Sequence, residues 1–373
     1  MVGKELEYIQ QAVSNMQLSG DGPFTQKCHT WLEQQIGCHK ALLTHSCTGA
    51  LEMAALLAEV HSGDEIIMPS YTFVSTANAF VLRGGVPVFV DIRPDTLCID
   101  ETKLEAAITV RTKAIVVVHY AGVGCAMDTV LDVARRHKLL VIEDAAQGLL
   151  SYYRGRPLGS FGALAAVSFH ETKNVIAGEG GALLINDPVW VERAEILREK
   201  GTNRKQFFRG QVDKYSWVDV GSSYLPSEIT AAFLWAQFEA AESLTRQRIA
   251  VWQQYHDAFA ELERQGFLRR PVVPPECRHN GHLYYLLFPS LQRRSLVLEQ
   301  LNQAGINAVF HYVPLHSSTA GQKYGRAHGD LSHTQYAGDG VVRLPLWVGM
   351  EDKQIKQIIE AVIEVVKSCA VFP

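Results

Sequence analysis

The sequence predicts an α/β protein in which a large unit, built on a mostly parallel sheet, is followed by a small C-terminal α+β unit. Short apolar runs alternate with amphipathic stretches from about residue 40 to residue 190. Continuous Val, Ile and Leu runs with helical crossovers are typical of a parallel sheet covered on both faces. A long helical pattern and a Pro-rich connection then separate this region from a second pattern of strands and helices. A chain of 373 residues accommodates two such units.

Seven apolar runs are predicted to form the strands of the large sheet. They are ALLT (41–44), EIIMP (65–69), VPVFVD (86–91), AIVVVHY (114–120), LLVIED (139–144), AAVSFH (165–170) and ALLIND (182–187). Stretches between them, such as LDVARRHK (131–138), have the apolar spacing of surface helices. Several runs end at polar residues, among them Thr44, Ser70, His119 and Asp144. Ligands of open α/β sheets bind outside the carboxyl ends of the strands, so these residues mark the predicted site.

The C-terminal unit follows one long predicted helix at about 228–265. The connection RRPVVPPECRHNG (269–281) leads into three predicted strands and two predicted helices. The strands are HLYYLLF (282–288), INAVFHYV (306–313) and VVRLPL (341–346), and the helices are 294–305 and 352–366. We place the large unit at residues 1–240 and the small unit at residues 241–373, with the long helix connecting them.

Composition and charge exclude several classes of protein. Lys and Arg number 35 and Asp and Glu 39, giving a net charge of −4 without a basic run, which argues against a nucleic-acid partner. The seven cysteines form no CxxC pair, so neither a disulfide framework nor a zinc site is predicted, and no metal is expected. The longest charge-free run, 66–82, contains many hydroxyl side chains, and the N-terminus lacks the apolar segment of a signal peptide. We expect a cytoplasmic protein that does not contact membranes.

A polar turn after the sixth predicted strand, from Ser168 to Lys173, carries a lysine and precedes a glycine cluster at 178–181. A lysine beside glycine-rich backbone at a strand end is suited to hold a carbonyl cofactor as a Schiff base. The alternative is an ordinary surface lysine before a hairpin.

Asp144 ends a wholly apolar strand, where a carboxylate is costly unless it is paired. A protonated pyridine nitrogen would be such a partner, and keeping that nitrogen charged makes the ring an electron sink. The alternative is that Asp144 caps a helix N-terminus, a position where aspartate is favoured.

Two further segments are typical of cofactor contacts. In Thr44 to Leu51 a strand end turns into a helix, and small hydroxylated residues there would form an anion site at the helix N-terminus. Neither the dinucleotide glycine fingerprint nor the P-loop pattern occurs, which disfavours nicotinamide cofactors and ATP. Phe73 follows a strand end, where its ring is placed to stack on a flat cofactor. An ordinary helix cap and a core phenylalanine are the respective alternatives.

Taken in order, these segments resemble the fold-type I, pyridoxal-phosphate-dependent nucleotide-sugar aminotransferases of the DegT/DnrJ/EryC/StrS family. The similarity runs along nearly the whole chain. It includes GDGPFTQKC (20–28), IMPSYTFVSTANAFVLRGG (67–85), VIEDAAQG (141–148), SFHETKN (168–174), GSSYLPSEITAA (221–232) and VFHYVPLH (309–316). The resemblance implies a seven-stranded, mostly parallel sheet in a large domain that binds pyridoxal 5'-phosphate (PLP), and a small α+β domain.

The resemblance also implies roles for residues that match the family's motifs. Lys173 and Asp144 are the implied catalytic residues, as the Schiff-base lysine and the carboxylate that pairs with the pyridine nitrogen. The implied cofactor-binding residues are Cys47, Thr48, Phe73, Asp144, Gln147, Ser168, Lys173 and Ser223, and the implied sugar-binding residues are His311, Tyr312 and His316. Ser223 stands where most of the family has an asparagine that reaches the neighbouring subunit's phosphate, which implies a homodimer with shared active sites. Cys47 stands where the family usually has glycine.

Within the family, the chain is similar to the transaminases that form dTDP-4-amino-4,6-dideoxygalactose. This implies transfer of an amino group from L-glutamate to the 4-keto carbon of a dTDP-4-keto-6-deoxy sugar, with pyridoxamine 5'-phosphate (PMP) as the intermediate form of the cofactor. An aminotransferase acting on a 3-keto sugar or a 4-keto pentose, and a non-catalytic nucleotide-sugar binding protein, are alternatives. A dehydratase on the same scaffold would carry histidine in place of Lys173.

Overall fold

A computed structural model describes residues 1–369, so the last four residues of the predicted small unit, 370–373, lie outside the described residues. The α-helices in this range are α1 (Glu5–Ser14), α2 (Pro23–Ile36), α3 (Cys47–Leu57), α4 (Val74–Val81), α5 (Leu104–Ala107), α6 (Met127–His137), α7 (Val191–Arg198), α8 (Arg204–Phe208), α9 (Glu228–Ala258), α10 (Ala260–Arg264), α11 (Leu291–Gln303), α12 (Thr319–Tyr324), α13 (Ser332–Gly340) and α14 (Asp352–Cys369). The strands are β1 (Lys40–Thr44), β2 (Glu65–Pro69), β3 (Val86–Val90), β4 (Thr112–Val118), β5 (Leu140–Asp144), β6 (Tyr152–Tyr153), β7 (Arg156–Pro157), β8 (Leu164–Ser168), β9 (Gly181–Ile185), β10 (Cys277–Arg278), β11 (Tyr284–Leu287), β12 (Arg326–Ala327) and β13 (Val341–Leu344).

The main sheet has the strand order β1-β9-β8-β5-β4-β2-β3-β12. Strand β9 runs antiparallel to both of its neighbours, and the other pairings are parallel. All seven predicted strands form, which confirms the mostly parallel sheet. The eighth strand, β12, adds two residues at the β3 edge. Sequence reasoning missed β12 because a two-residue strand has no apolar pattern to reveal it.

Both faces of the main sheet are buried, as the continuous apolar strands predict. Alternate residues of each strand point to opposite faces. In β2, Ile66 and Met68 belong to the core cluster under α3, α4 and α7, and Ile67 belongs to the cluster under α5 and α6. A third cluster packs α1, α2 and the first part of α9 over β1, β8 and β9. The sheet is therefore a rigid central layer whose strand ends can hold side chains in fixed positions.

The small unit has a two-stranded antiparallel sheet, β11 with β13, packed on α11 and α14. The predicted strand 306–313 does not form, and this prediction was wrong. Only one bridge, between Val309 and Arg343, ties the segment to β13. Beyond it, Tyr312 has a left-handed φ of 47°, and the hydroxyl of Tyr71 donates to the carbonyl of His311 at 2.8 Å. The segment leaves the small sheet because its polar and aromatic groups are satisfied by contacts with the large unit.

The long helix α9 begins where predicted, with the Ser227 hydroxyl accepting from the Thr230 amide at its N-terminus. It ends at Ala258, and α10 continues after a break at Phe259, so the predicted single helix to 265 is shorter than expected. Phe238 packs in the core over β8 and β9, and Tyr255 packs in the core of the small unit. The predicted division at residue 240 falls inside this helix and stays a prediction.

No helix within residues 1–369 is both long enough and apolar enough to cross a membrane. Over the same range, His, Cys, Asp and Glu side chains form no group of three or more that could hold a metal ion.

Candidate active site

The carboxyl ends of β2, β4, β5 and β8 meet at one edge of the main sheet, since these strands are parallel. Ser168, the last residue of β8, lies opposite Gly181 of β9, and Gly181 lies opposite Thr44 of β1. A Cβ atom at Gly181 would lie 2.4 Å from the amide nitrogen of Cys47. Glycine at this position therefore lets the start of α3 approach the edge where the strands end.

The N-terminus of α3 presents hydroxyl groups and backbone amides to this edge. The Ser46 hydroxyl accepts from the Gly49 amide at 3.0 Å, and the Thr48 hydroxyl lies 2.8 Å from that of Ser75. The first amides of a helix lack partners inside the helix and favour an anion. Burial, reinforced by the Asp144 carboxylate, raises the pKa of the Cys47 thiol well above its ordinary value, so Cys47 contributes no competing negative charge.

Asp144 is buried, and both of its carboxylate oxygens accept hydrogen bonds. Thr76 donates to Oδ2 at 2.7 Å, and the Ala146 amide donates to Oδ1 at 3.1 Å. No ion pair to Asp144 occurs within the described residues. The alternative of a helix cap is wrong, because residues 146–150 form turns rather than a helix. The carboxylate is thus fixed by neutral donors and carries a charge that still lacks a cation.

Gln147 uses both ends of its amide to join the two units. Its Oε1 accepts from the Ala121 amide at 2.7 Å, and its Nε2 donates to the Tyr312 hydroxyl at 2.9 Å. The rings of His311 and Tyr312 stack with centroids 3.7 Å apart, and Nδ1 of His311 lies 2.8 Å from the Tyr120 hydroxyl. The segment from the small unit is therefore held against the end of β4 and the turn after β5.

Lys173 is half-buried in the turn that follows β8, and its backbone amide donates to the His170 carbonyl at 2.9 Å. Its amine has no ion pair or hydrogen bond among the described contacts of residues 1–369. Burial lowers the pKa of this amine, and the positive charge of Arg343 acts in the same direction, whereas the Asp144 carboxylate opposes the shift. The Asp144 carboxylate is therefore within electrostatic range of the amine. The alternative of an ordinary surface lysine does not fit a half-buried amine in this environment.

The remaining predicted residues occupy different surroundings. Phe73 precedes α4, is 56% exposed, and has its ring centroid 6.4 Å from that of Tyr312. Ser168 is buried, and its hydroxyl accepts weakly from the His170 amide at 3.4 Å. Nδ1 of His316 lies 2.8 Å from the Ser70 hydroxyl, and burial lowers the pKa of its ring. Ser223 is exposed, and no described side-chain contact links it to the others.

Sequence reasoning missed several residues that position this site. Thr76, which holds Asp144, lies one helical turn after Thr72, and the two hydroxyls are 2.8 Å apart. That i, i+4 spacing of threonines after a strand end was a usable signal. Asn174 and Asn280 were also missed. The Asn174 side chain donates to the Asn280 carbonyl at 2.9 Å, and the Asn280 side chain donates to the Gln147 carbonyl at 2.8 Å.

These groups fit PLP by their chemistry. Asp144 offers a buried carboxylate without a cation, suited to a protonated ring nitrogen. Lys173 offers an amine without an acidic partner, suited to a carbonyl, and the start of α3 suits a phosphate. Phe73 offers an exposed aromatic face. When bound, PLP supplies an electron sink for a carbanion formed on the substrate.

Comparison with known proteins also indicates an enzyme that uses PLP. Residues 1–363 match the model of the DegT/DnrJ/EryC1/StrS aminotransferase family. The spore coat polysaccharide biosynthesis protein SpsC of Bacillus subtilis is 32% identical over 376 residues, covering 98% of this chain and 96% of SpsC.

Solved structures resemble the whole fold. Spr1654 of Streptococcus pneumoniae, assigned as a sugar aminotransferase, superposes in its PMP form with a TM-score of 0.91 at 26% identity, covering 98% of this chain and 97% of that one. Its PLP form is also similar. Helicobacter pylori PseC, an aminotransferase involved in the biosynthesis of pseudoaminic acid, gives a TM-score of 0.90 at 27% identity, covering 98% and 96%. The chain therefore belongs to the DegT/DnrJ/EryC1/StrS aminotransferase family and is a PLP-dependent sugar aminotransferase.

Proposed function

We propose that this enzyme transfers the amino group of L-glutamate to the 4-keto carbon of a dTDP-4-keto-6-deoxy sugar, giving a dTDP-4-amino-4,6-dideoxy sugar and 2-oxoglutarate. The observation that carries the proposal is the half-buried Lys173 amine, which has no acidic partner and lies near the buried Asp144. The choice of sugar rests on the sequence resemblance to the transaminases that form dTDP-4-amino-4,6-dideoxygalactose. The relatives named above support sugar amination more generally.

The role proposed for each residue agrees with its contacts. Lys173 anchors the cofactor carbonyl, Asp144 holds the ring nitrogen protonated, and Gln147 lies near the ring hydroxyl. Cys47, Thr48 and Ser168 are proposed to bind the phosphate and Phe73 to stack on the ring. Because Thr76 and the Ala146 amide fix Asp144, the carboxylate is oriented before any ligand arrives. Such preorganisation avoids rearrangement during the reaction.

Lys173 is also the proposed proton carrier. Its Nζ accepts the proton released from Cα of the amino donor, which requires the neutral amine. Burial favours that neutral form by lowering the pKa of Lys173. The same atom, once protonated, would give its proton up again as the general acid, and during amination of the sugar it would deliver a proton to C4 of the sugar.

The loop at 311–316 is proposed to contact the sugar. Tyr312 and His316 are partly exposed at its surface. His311 is buried and uses Nδ1 toward Tyr120, so any sugar contact would be made through its Nε2. Tyr312 is held by Gln147, which ties the sugar-facing loop to the turn that follows Asp144.

We also propose a homodimer with shared active sites, in which Ser223 reaches the partner's phosphate site. Several large apolar side chains are exposed in or near the same stretch of chain, namely Phe208, Tyr215, Trp217, Val218 and Val220. Contiguous exposed apolar surface is characteristic of protein interfaces. A cytoplasmic location stays a prediction from the sequence.

The test is incubation of the holoenzyme with L-glutamate and a panel of nucleotide sugars, with product structure determined by NMR. The panel contains dTDP- and UDP-linked 4-keto-6-deoxy sugars, a 3-keto sugar and a 4-keto pentose. The expected product is the 4-amino-4,6-dideoxy sugar, formed fastest from the dTDP-linked substrate.

Lys173→Ala serves as the control and should form no product. Amination at C3, or faster amination of the pentose, would overturn the proposed acceptor. A wild-type enzyme that binds nucleotide sugar but never loses its yellow colour with glutamate would overturn the proposed donor.

A further inference from the structure

Arg343 is a charged residue at an inward-facing position of β13. Alternate residues of a strand share a face, so Val341 and Arg343 lie on one side of β13 and Val342 and Leu344 on the other. Val342 and Leu344 pack in the core of the small unit, whereas Val341 packs with Tyr285 in the core toward the large unit. Arg343 therefore brings a guanidinium to the face that is directed at the active site.

The Arg343 guanidinium has no acidic partner among residues 1–369. Its Nε is buried without a hydrogen-bond partner. The residue as a whole is half-buried. A cation partly withdrawn from water without a counter-ion is costly, so this guanidinium is suited to bind an anion.

A second cation lies in the same surroundings. Arg248 of α9 is 7% exposed, and its guanidinium donates only to the backbone carbonyls of Gly281 (3.1 Å) and His282 (2.6 Å). Burial, and then the charge of Arg343, lower the pKa of Arg248 to about 10, so the two guanidinium groups lie close enough to repel. Two neighbouring cations without a carboxylate among the described residues create a strongly positive site.

Both arginines line one pocket of about 360 Å³, together with His282 and Thr172. Thr172 directly precedes Lys173, so the pocket reaches the turn that carries the proposed reacting amine. The charge of Arg343 also acts on Lys173 and on His311 of the sugar-facing loop. The volume is toward the lower end of small-molecule sites, roughly 300–1,000 Å³. It suits an amino acid better than a whole nucleotide sugar.

We propose that Arg343 binds a carboxylate of the amino donor, with Arg248 adding positive potential to the same pocket. The inference rests on the proposed use of an amino-acid donor. A guanidinium binds a carboxylate through two parallel hydrogen bonds, which fix orientation as well as position. Arg343 would therefore hold the donor with its amino group directed toward Lys173. The diphosphate of the nucleotide sugar is the competing anion.

Arg343→Gln tests the proposal in each half-reaction separately. Loss of the yellow colour on mixing PLP-loaded enzyme with L-glutamate measures the donor half. Return of colour on mixing PMP-loaded enzyme with the keto sugar measures the acceptor half. We expect kcat/KM for glutamate to fall about 10- to 100-fold, the loss for a charged hydrogen bond, while the acceptor half changes less than about threefold. The matched control is Arg269→Gln, since Arg269 also has buried, unpartnered guanidinium atoms but does not line the pocket.

Binding of glutarate, a dicarboxylate without an amino group, gives a readout that needs no turnover. Calorimetry on the holoenzyme should show at least tenfold weaker glutarate binding in Arg343→Gln and wild-type binding in Arg269→Gln. Arg343→Lys keeps the charge but not the forked geometry, and should bind with intermediate affinity; it also serves if the Gln variant does not fold.

The outcomes separate this inference from the proposed function. Unchanged glutarate affinity, or an acceptor half that falls as much as the donor half, overturns the role of Arg343 and favours the diphosphate. If wild-type enzyme does not react with glutamate, the proposed donor is wrong, and glutarate binding still decides whether Arg343 holds a carboxylate. If the keto sugar does not restore the colour of PMP-loaded wild-type enzyme, the proposed acceptor is wrong, and the donor half-reaction can still be measured.

Discussion

Lys173 combines an amine without an acidic partner with a pKa that burial lowers. We predict that Lys173→Ala folds with an unchanged melting temperature but loses the yellow colour of the cofactor–lysine linkage. Turnover should fall by several orders of magnitude, because both the anchor and the proton carrier are removed. The control is Lys200→Ala, a lysine outside the turn that carries Lys173. A yellow, active Lys173→Ala enzyme would contradict the assignment.

Asp144 is held by one side-chain donor, Thr76, and by the backbone amide of Ala146. Asp144→Asn should still bind PLP but slow the donor half-reaction strongly, because the charge that keeps the ring nitrogen protonated is lost. Thr76→Val removes the 2.7 Å bond to Oδ2, together with the contact to the Thr72 hydroxyl, and should raise the barrier of the same half-reaction by about 1.5–3 kcal/mol. Stopped-flow absorbance with glutamate measures both. Wild-type rates in Asp144→Asn would leave the carboxylate with a purely structural role.

The surroundings of a residue could be predicted from the sequence where a local motif determines them. They could be predicted less well where contacts between distant segments determine them. The burial of Asp144 could be predicted, because this residue ends an apolar strand, whereas its role toward the cofactor stays a prediction. Tyr120 could not be predicted, since its bond to His311 joins residues 191 positions apart. Arg343 was visible only as one charge in the run VVRLPL, and its lack of an acidic partner among residues 1–369 became evident once the surrounding side chains were placed.

Among the elements, the sheet was predictable and the irregular segments were not. Buried parallel strands are continuous apolar runs, so they can be recognised in the sequence whichever strands lie beside them in the sheet. The segment 306–313 has the same apolar and aromatic character but forms one bridge, because Tyr71 and Gln147 of the large unit bond to its polar groups. Such contacts lie far apart in sequence and leave no local signal.

Glu65 at the start of β2 joins the edge strand β12 to the rest of the sheet. It accepts from Arg326 at 2.9 Å, from Arg111 at 2.6 Å and from Thr109 at 2.7 Å. Burial alone would raise the pKa of Glu65, but the bonds from Arg326, Thr109 and Arg111 hold it at about 2. The folded-state pKa lies below the ordinary value of 4.5. The resulting stability is therefore complete above about pH 4.5 and is lost as the pH falls toward 2.

We predict that Glu65→Gln unfolds at lower temperature at pH 7 and loses less of its stability between pH 5 and pH 3. The cost should be about 1–2 kcal/mol after allowance for the partly exposed arginines. The matched control is Glu105→Gln, whose carboxyl pKa is also about 2 but whose partners are at the surface. Calorimetry over this pH range measures both variants. Equal acid sensitivity in Glu65→Gln and the wild type would refute the role of the network.

At the scale of the whole molecule, the proposed dimer can be tested by mixing inactive chains. Ser223→Glu places a negative charge where the partner's phosphate is expected, and Ser222→Glu is the neighbouring control. Tyr224 is unsuitable for substitution, because its ring stacks on His45 within the same chain.

Lys173→Ala and Ser223→Glu chains should each be nearly inactive alone. Refolded together, they should recover up to about a quarter of wild-type activity, because half of random dimers contain one intact site of two. Sedimentation should show dimers in every sample. Subunit exchange without recovered activity, or a monomeric wild type, would exclude a shared site.

Helix α9 limits how far the two units can move apart when a substrate enters. Its 31 residues, roughly 46 Å long at 1.5 Å per residue, are anchored in the core of each unit. The helix contains neither glycine nor proline, the usual sites of helix kinks. The helix is therefore expected to stay straight, so the two units cannot separate by a bend in its middle. We expect the nucleotide sugar to enter a gap whose width is set in advance, so that discrimination among sugars depends on the lining of the entrance rather than on closure of the molecule around its ligand.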